Sequence, residues 1–147
     1  MFVGQFYHNL DEKSRLTIPA TFREFFSAGG GAYLMRGFDQ NLNLLTFASF
    51  RVISERINRM SLTDPNARQL RRLIYSDAAS VEFDKTGRIL IPQFLREAAD
   101  INDEAVIVGA GIYVEIWSPK LWTAQRDQLK DVKVTAEQFA VFDLPAE

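Results

Sequence analysis

The sequence predicts an α+β fold made of two tandem β-α units related by a pseudo-two-fold, with flanking helices. Three observations predict it. Asp11-Glu12-Lys13-Ser14-Arg15-Leu16-Thr17-Ile18-Pro19 returns as Asp84-Lys85-Thr86-Gly87-Arg88-Ile89-Leu90-Ile91-Pro92, a shift of 73 in a chain of 147 residues. Polar and apolar residues alternate in Arg15-Leu16-Thr17-Ile18, as they do in a half-buried strand. Each strand candidate then runs into a proline and a short apolar pattern at helical spacing.

In chain order, Gln5–Leu10 is a strand candidate, followed by a polar turn and the strand Arg15–Ile18. The second unit repeats this as Ala79–Phe83, a turn, and Arg88–Ile91. Thr86-Gly87 is favourable turn chemistry, because glycine reaches positive φ without a Cβ clash. Ser14 occupies the matching place and is less suited to it, so the two turns are expected to differ. Pro19 and Pro92 suit the first position of a helix. Phe22, Phe25 and Phe26, and then Phe94, Leu95 and Ala98, supply its apolar side. Gly29-Gly30-Gly31 should stop the first short helix, and Asp100–Asp103 should turn after the second.

Each unit continues into strands, Tyr33–Met35 with Leu42–Phe47, and Ala105–Val108 with Ile112–Trp117. A helix follows in both. Phe47, Phe50, Ile53, Ile57 and Met60 form one stripe; Leu121, Trp122, Gln125 and Leu129 form the other, behind the cap Ser118-Pro119. Only the first half has an additional helix, opened by Asp64-Pro65, with Ala67, Leu70 and Ile74 inward and Arg68, Arg71 and Arg72 outward. The expected organisation is a first unit with linking helices over 1–77, a second over 78–133, and a docked or frayed tail over 134–147.

Composition narrows the chemistry. There is no cysteine and one histidine, His8, which excludes disulfides, thiolate catalysis and a His/Cys metal cluster. No GxxxxGKS/T motif occurs, and no acid–base pair recurs beside a nucleophile, so neither an enzyme nor a cofactor is expected. The opening stretch does not read as a signal peptide, and no apolar run is long enough to span a membrane; a cytoplasmic address is expected. The net charge of −2 is unevenly distributed. Six arginines face only Glu55 and Asp64 within residues 51–72, whereas residues 101–147 hold four basic and eight acidic side chains. Such segregation is compatible with nucleic-acid binding without establishing it.

The doubled turn is the candidate site. Across a tight hairpin Asp11 can hold the Arg15 guanidinium in one orientation, and Asp84 can do the same for Arg88. An arginine so oriented suits a bidentate partner, phosphate or guanine. Lys13 and Lys85 add less directional charge beside it. The same pair can equally be a structural bridge that stiffens a surface hairpin, a type of contact that contributes ~0–1 kcal/mol. Arg68, Arg71 and Arg72 read as a solvated helix face, and His8 as a packing or polar residue.

Met1-Phe2-Val3-Gly4, followed by Leu10-Asp11-x-Lys13-x-Arg15-Leu16-x-Ile18-Pro19-x-x-Phe22-Arg23, resembles the start of the bacterial MraZ family. Asp84-x-x-x-Arg88-Ile89-x-Ile91-Pro92 stands where that family carries its second copy. The resemblance implies a tandem of SpoVT-AbrB-type units forming a swapped-hairpin β-barrel. It also implies a nucleoid-associated DNA-binding regulator, usually a repressor of the division and cell-wall gene cluster and of its own gene. Its implied partners are double-stranded promoter DNA with short direct repeats and further copies of itself in a ring, with no membrane and no small-molecule substrate. By position, the implied DNA contacts are Lys13, Arg15, Lys85 and Arg88, with Asp11 and Asp84 organising the turns. An oligomeric protein-interaction module of antitoxin-like type is the alternative. Serine at position 14 departs from the family's usual glycine, while Gly87 agrees with it.

Overall fold

The computed structural model describes residues 1–26 and 31–144. It is a mixed α+β structure with eight strands in two antiparallel sheets among these residues. The first half contributes β1 (Gln5–Asn9), β2 (Arg15–Thr17), α1 (Ala20–Arg23), β3 (Ala32–Arg36), β4 (Leu42–Thr46), α2 (Phe47–Asn58) and α3 (Pro65–Ser76). The second contributes β5 (Ala79–Val81), β6 (Arg88–Leu90), α4 (Gln93–Ala98), β7 (Glu104–Gly109), β8 (Val114–Trp117) and α5 (Pro119–Gln128). A further helix, α6 (Val132–Phe139), follows.

The large sheet runs β1-β7-β8-β4-β3-β5, and the small one pairs β2 with β6. Exchanging each strand for its counterpart in the other half reverses the large sheet's order and leaves it otherwise unchanged. Register obeys the same exchange. Leu16 pairs with its own counterpart Ile89 at the centre of the small sheet, and β4 meets β8 about Asn43 and Glu115, within one residue of the 73-residue shift. The opening strand of each half pairs with the third strand of the other, β1 with β7 and β5 with β3. The halves are therefore interleaved in one sheet, and neither forms a sheet of its own.

Burial explains the strand pattern. Leu34, Leu44, Ile107 and Ile116 point from the large sheet into a core shared with Leu16, Ile18, Ile89 and Ile91 from the small one. Their neighbours Met35, Leu45, Val106 and Trp117 are buried on the opposite face. There α2 and α3 cover β3 and β4, while Leu121 and Trp122 of α5 cover Val106, Val108 and Trp117. Strands covered on both faces lose the simple alternation of a half-buried sheet. β2 and β6 keep it, because only one of their faces is covered.

Caps fix the helix starts. Thr46, Asp64 and Ser118 each accept a backbone N–H through their side chain, at the openings of α2, α3 and α5. Pro65 and Pro119 occupy the first turns as expected. Pro19 and Pro92 do not: both stand one place earlier, as extended N-cap residues, and the helices begin at Ala20 and Gln93. The short apolar stripes are shorter than expected, because α1 ends at Arg23 and leaves Phe25 exposed, as Phe94 is in α4. The expected stop at Gly29-Gly30 lies outside the described residues. Of the segment expected as a docked or frayed tail, the residues up to Phe142 are helical: Asp131 caps α6, and Ala140–Phe142 follow as a 3-10 turn.

Candidate nucleic-acid interface

The two DxxxR turns are the same object built twice. In the first, the Ser14 N–H donates to Asp11 O at 2.9 Å and the Asp11 N–H to Arg15 O at 3.0 Å. In the second, the Gly87 N–H donates to Asp84 O at 3.0 Å and the Asp84 N–H to Arg88 O at 2.9 Å. Ser14 adopts φ 62° and Gly87 φ 82°. The expected difference between the turns is thus absent from the backbone: serine is held in the left-handed region that glycine enters freely.

Each aspartate is used twice over. Asp11 Oδ1 accepts the backbone N–H groups of Lys13 and Arg15, both at 2.9 Å, and Oδ2 accepts Arg15 Nε at 2.7 Å. Asp84 Oδ1 accepts from Thr86 and Arg88, and Oδ2 accepts Arg88 Nε at 2.8 Å. The Arg15 backbone N–H is the main reason that the Asp11 carboxyl is held below its ordinary pKa, and the Arg88 backbone N–H is the main reason for Asp84, which Thr86 lowers as well. Both carboxylates are therefore ionised throughout the neutral range, so each guanidinium keeps its anchor. Lys13 has Thr86 as its structural counterpart; Lys85 stands one place earlier, and both lysines are exposed.

The turns also touch. Arg88 Nη1 donates to Asp11 Oδ2 at 3.2 Å, linking the repeats through one carboxylate. Because β2 pairs Arg15 with Leu90 and Thr17 with Arg88, these four side chains share the outer face of the β2–β6 ribbon. Leu16 and Ile89 face the core with no exposure. The arginine side chains are 32% and 29% exposed, so the guanidinium groups are steadied without being sealed off. The Arg15 guanidinium engages Asp11 only through Nε among the described contacts, so Asp11 does not use its terminal N–H donors.

Three participants were not foreseen from the sequence. Thr17 and Leu90 belong to the ribbon's face, which strand alternation alone could have revealed. Arg23 lies under the second turn: a Cβ on Gly87 would fall 1.9 Å from Arg23 Nη1. Its Nε is buried without a hydrogen-bond partner, whereas the counterpart Arg96 donates to Ile91 O at 3.0 Å. Of the residues set aside, His8 lies half-buried in β1, and Arg68 and Arg71 donate to the Leu62 and Ile57 carbonyls. Among the described residues no group of acids and histidines could hold a metal ion, and no helix is long and apolar enough to cross a membrane.

A family model described as "MraZ protein, putative antitoxin-like" matches the chain twice, over residues 1–73 and 74–143. Proteins named transcriptional regulator MraZ are similar over most of its length. That of Thermomicrobium roseum is 46% identical over 129 residues, 88% of this chain and 89% of its own. That of Herpetosiphon aurantiacus is 41% identical over 145 residues, 98% of this chain and all of its own. That of Clostridium acetobutylicum is 36% identical over 140 residues, 95% of this chain and 97% of its own.

Proposed function

This chain belongs to the MraZ family, and we propose that it is a sequence-specific DNA-binding transcriptional regulator, acting as a repressor. Its target is the promoter of the division and cell-wall gene cluster, its own gene included. The observation that carries this reading is the outer face of the β2–β6 ribbon, where Arg15 and Arg88 are each clamped by an aspartate and stand diagonally across the two strands. The major groove admits a two-stranded β-ribbon, and a guanidinium held in plane can meet guanine O6 and N7, or a phosphate, through two N–H groups. Lys13 and Lys85 flank the face as phosphate contacts, and Asp11 and Asp84 position the arginines. We take residues 1–77 and 78–133 as tandem SpoVT-AbrB-type units closed into a swapped-hairpin barrel. The exchange of β1 and β5 between the halves supports that reading.

A single ribbon offers few contacts, so binding is multivalent: copies in a ring meet short direct repeats, each raising the effective concentration of the next. Log affinity plotted against log salt tests this. Each neutralised phosphate contributes ~0.9 to the slope, so the ring predicts a slope several times what the four cations of one ribbon allow. A slope of about four or less, which one ribbon accounts for, contradicts multivalent docking. An antitoxin-like interaction module predicts instead a stoichiometric protein partner that co-purifies with the chain.

A further inference from the structure

Two apolar surfaces outside the ribbon have no cover, and they are complementary. One is a groove of about 320 Å³ between the outer face of β3–β4 and the helices α2 and α3, lined by Met35, Phe38, Leu45, Ile53, Met60 and Tyr113. Phe38 at its mouth is 76% exposed. The other is the face of α6: Val132, Ala136 and Phe139 recur at four and three residues and, with Leu129 at the end of α5, line one shallow surface. No residue of α6 or of the 3-10 turn after it is buried. An isolated helix of 8 residues is marginal in water, so a helix of this length with a bare apolar face needs a surface to lie against.

Charge says which surface. Residues 131–147 hold Asp131, Glu137, Asp143 and Glu147 against Lys133 alone, whereas residues 51–72 of the groove's helices hold six arginines against two acids. Arg56 lines the groove itself. Neither it nor its neighbour Arg59 is in an ion pair among the described residues. An acidic, apolar helix and a basic, apolar groove on the same chain match in both characters.

We infer that α6 of one copy seats in the groove of a second copy, with Val132 and Phe139 entering between Phe38 and Met60 and the acidic flank lying along Arg56 and Arg59. The joint rests on the assembly proposed above and names the two surfaces that build it. Because the surfaces differ, the contact is heterologous: every copy offers one helix and one groove, and repetition gives a ring or an open chain.

Two full-length variants test the joint, one with Val132→Asp and Phe139→Asp, the other with Phe38→Asp and Met60→Asp. All four positions are exposed, at 78%, 41%, 76% and 39%, so the fold should tolerate the changes, which circular dichroism checks. In sedimentation velocity the unsubstituted chain should form a large assembly and each variant alone a monomer. An equimolar mixture of the two variants should form a dimer, held by the single intact helix-in-groove contact that the mixture permits. Variants that assemble as the parent does overturn the joint while leaving the ring standing on other surfaces. Variants that stay monomeric when mixed also overturn it. A monomeric parent chain overturns the assembly itself, and the joint with it.

Discussion

Gly87 shows how much a single atom decides at the second turn. Its φ of 82° suits glycine, and the Arg23 guanidinium occupies the space that a Cβ would take. Gly87→Ala therefore introduces both left-handed strain and a collision, together ~1–3 kcal/mol. Urea unfolding should show this loss shrinking by about half in an Arg23→Ala background, since Arg23 then no longer opposes the methyl group. An unchanged cost would mean that the backbone, not Arg23, makes the demand. The four-residue spacing from Asp to Arg was legible in the sequence because a hairpin brings such residues together whatever the rest of the chain does. Arg23 was not, because its contact with position 87 depends on how the halves interleave. Nor could the sequence foretell that Ser14 would accept φ 62°. The carboxylate of Asp11, accepting two backbone N–H groups, fixes that turn from outside the serine.

Among the elements, the β2–β6 ribbon couples stability to the proposed site. Its inner face places Leu16 and Ile89 opposite each other with no exposure, and its outer face presents Arg15, Thr17, Arg88 and Leu90. Leu16→Ala should lower unfolding free energy by ~2–5 kcal/mol, the range for buried leucines. Thr17→Ala, on the outer face, should change it by less than ~0.5 kcal/mol. Equal effects in denaturant titration would show that the ribbon does not separate core from surface as described. The alternation in Arg15–Ile18 made this element readable. The helices were readable where a capping side chain announced them, at Asp64 and Ser118, or where an apolar stripe did, from Phe47 to Met60; the cap at Thr46 lay inside an expected strand. Asp131 is a cap of the same kind and opens α6, yet the acidic, unrepeated end of the chain resembled a tail. Within α6 the four- and three-residue spacing of Val132, Ala136 and Phe139 is the helical signal.

For the whole molecule, the repeat foretold two units but not their exchange of strands. A shift of 73 residues is equally compatible with two separate sheets; only the pairing of β1 with β7 and of β5 with β3 decides between them. That exchange has a functional consequence. It brings β2 and β6 together as one ribbon, so two turns 73 residues apart in sequence share a face and a carboxylate, Asp11. One half alone would present a single arginine on an unpaired strand. Interleaving thus connects the repeat to the proposed grip on DNA.

The most direct measurement is promoter affinity of the chain carrying both Arg15→Ala and Arg88→Ala, by gel shift at fixed salt, with folding and assembly verified beside the parent. At ~1–3 kcal/mol for each bidentate arginine contact, the double variant should bind about a hundredfold more weakly or not detectably. Undiminished affinity in a folded, assembled variant would contradict the assignment of the ribbon as the surface that meets DNA.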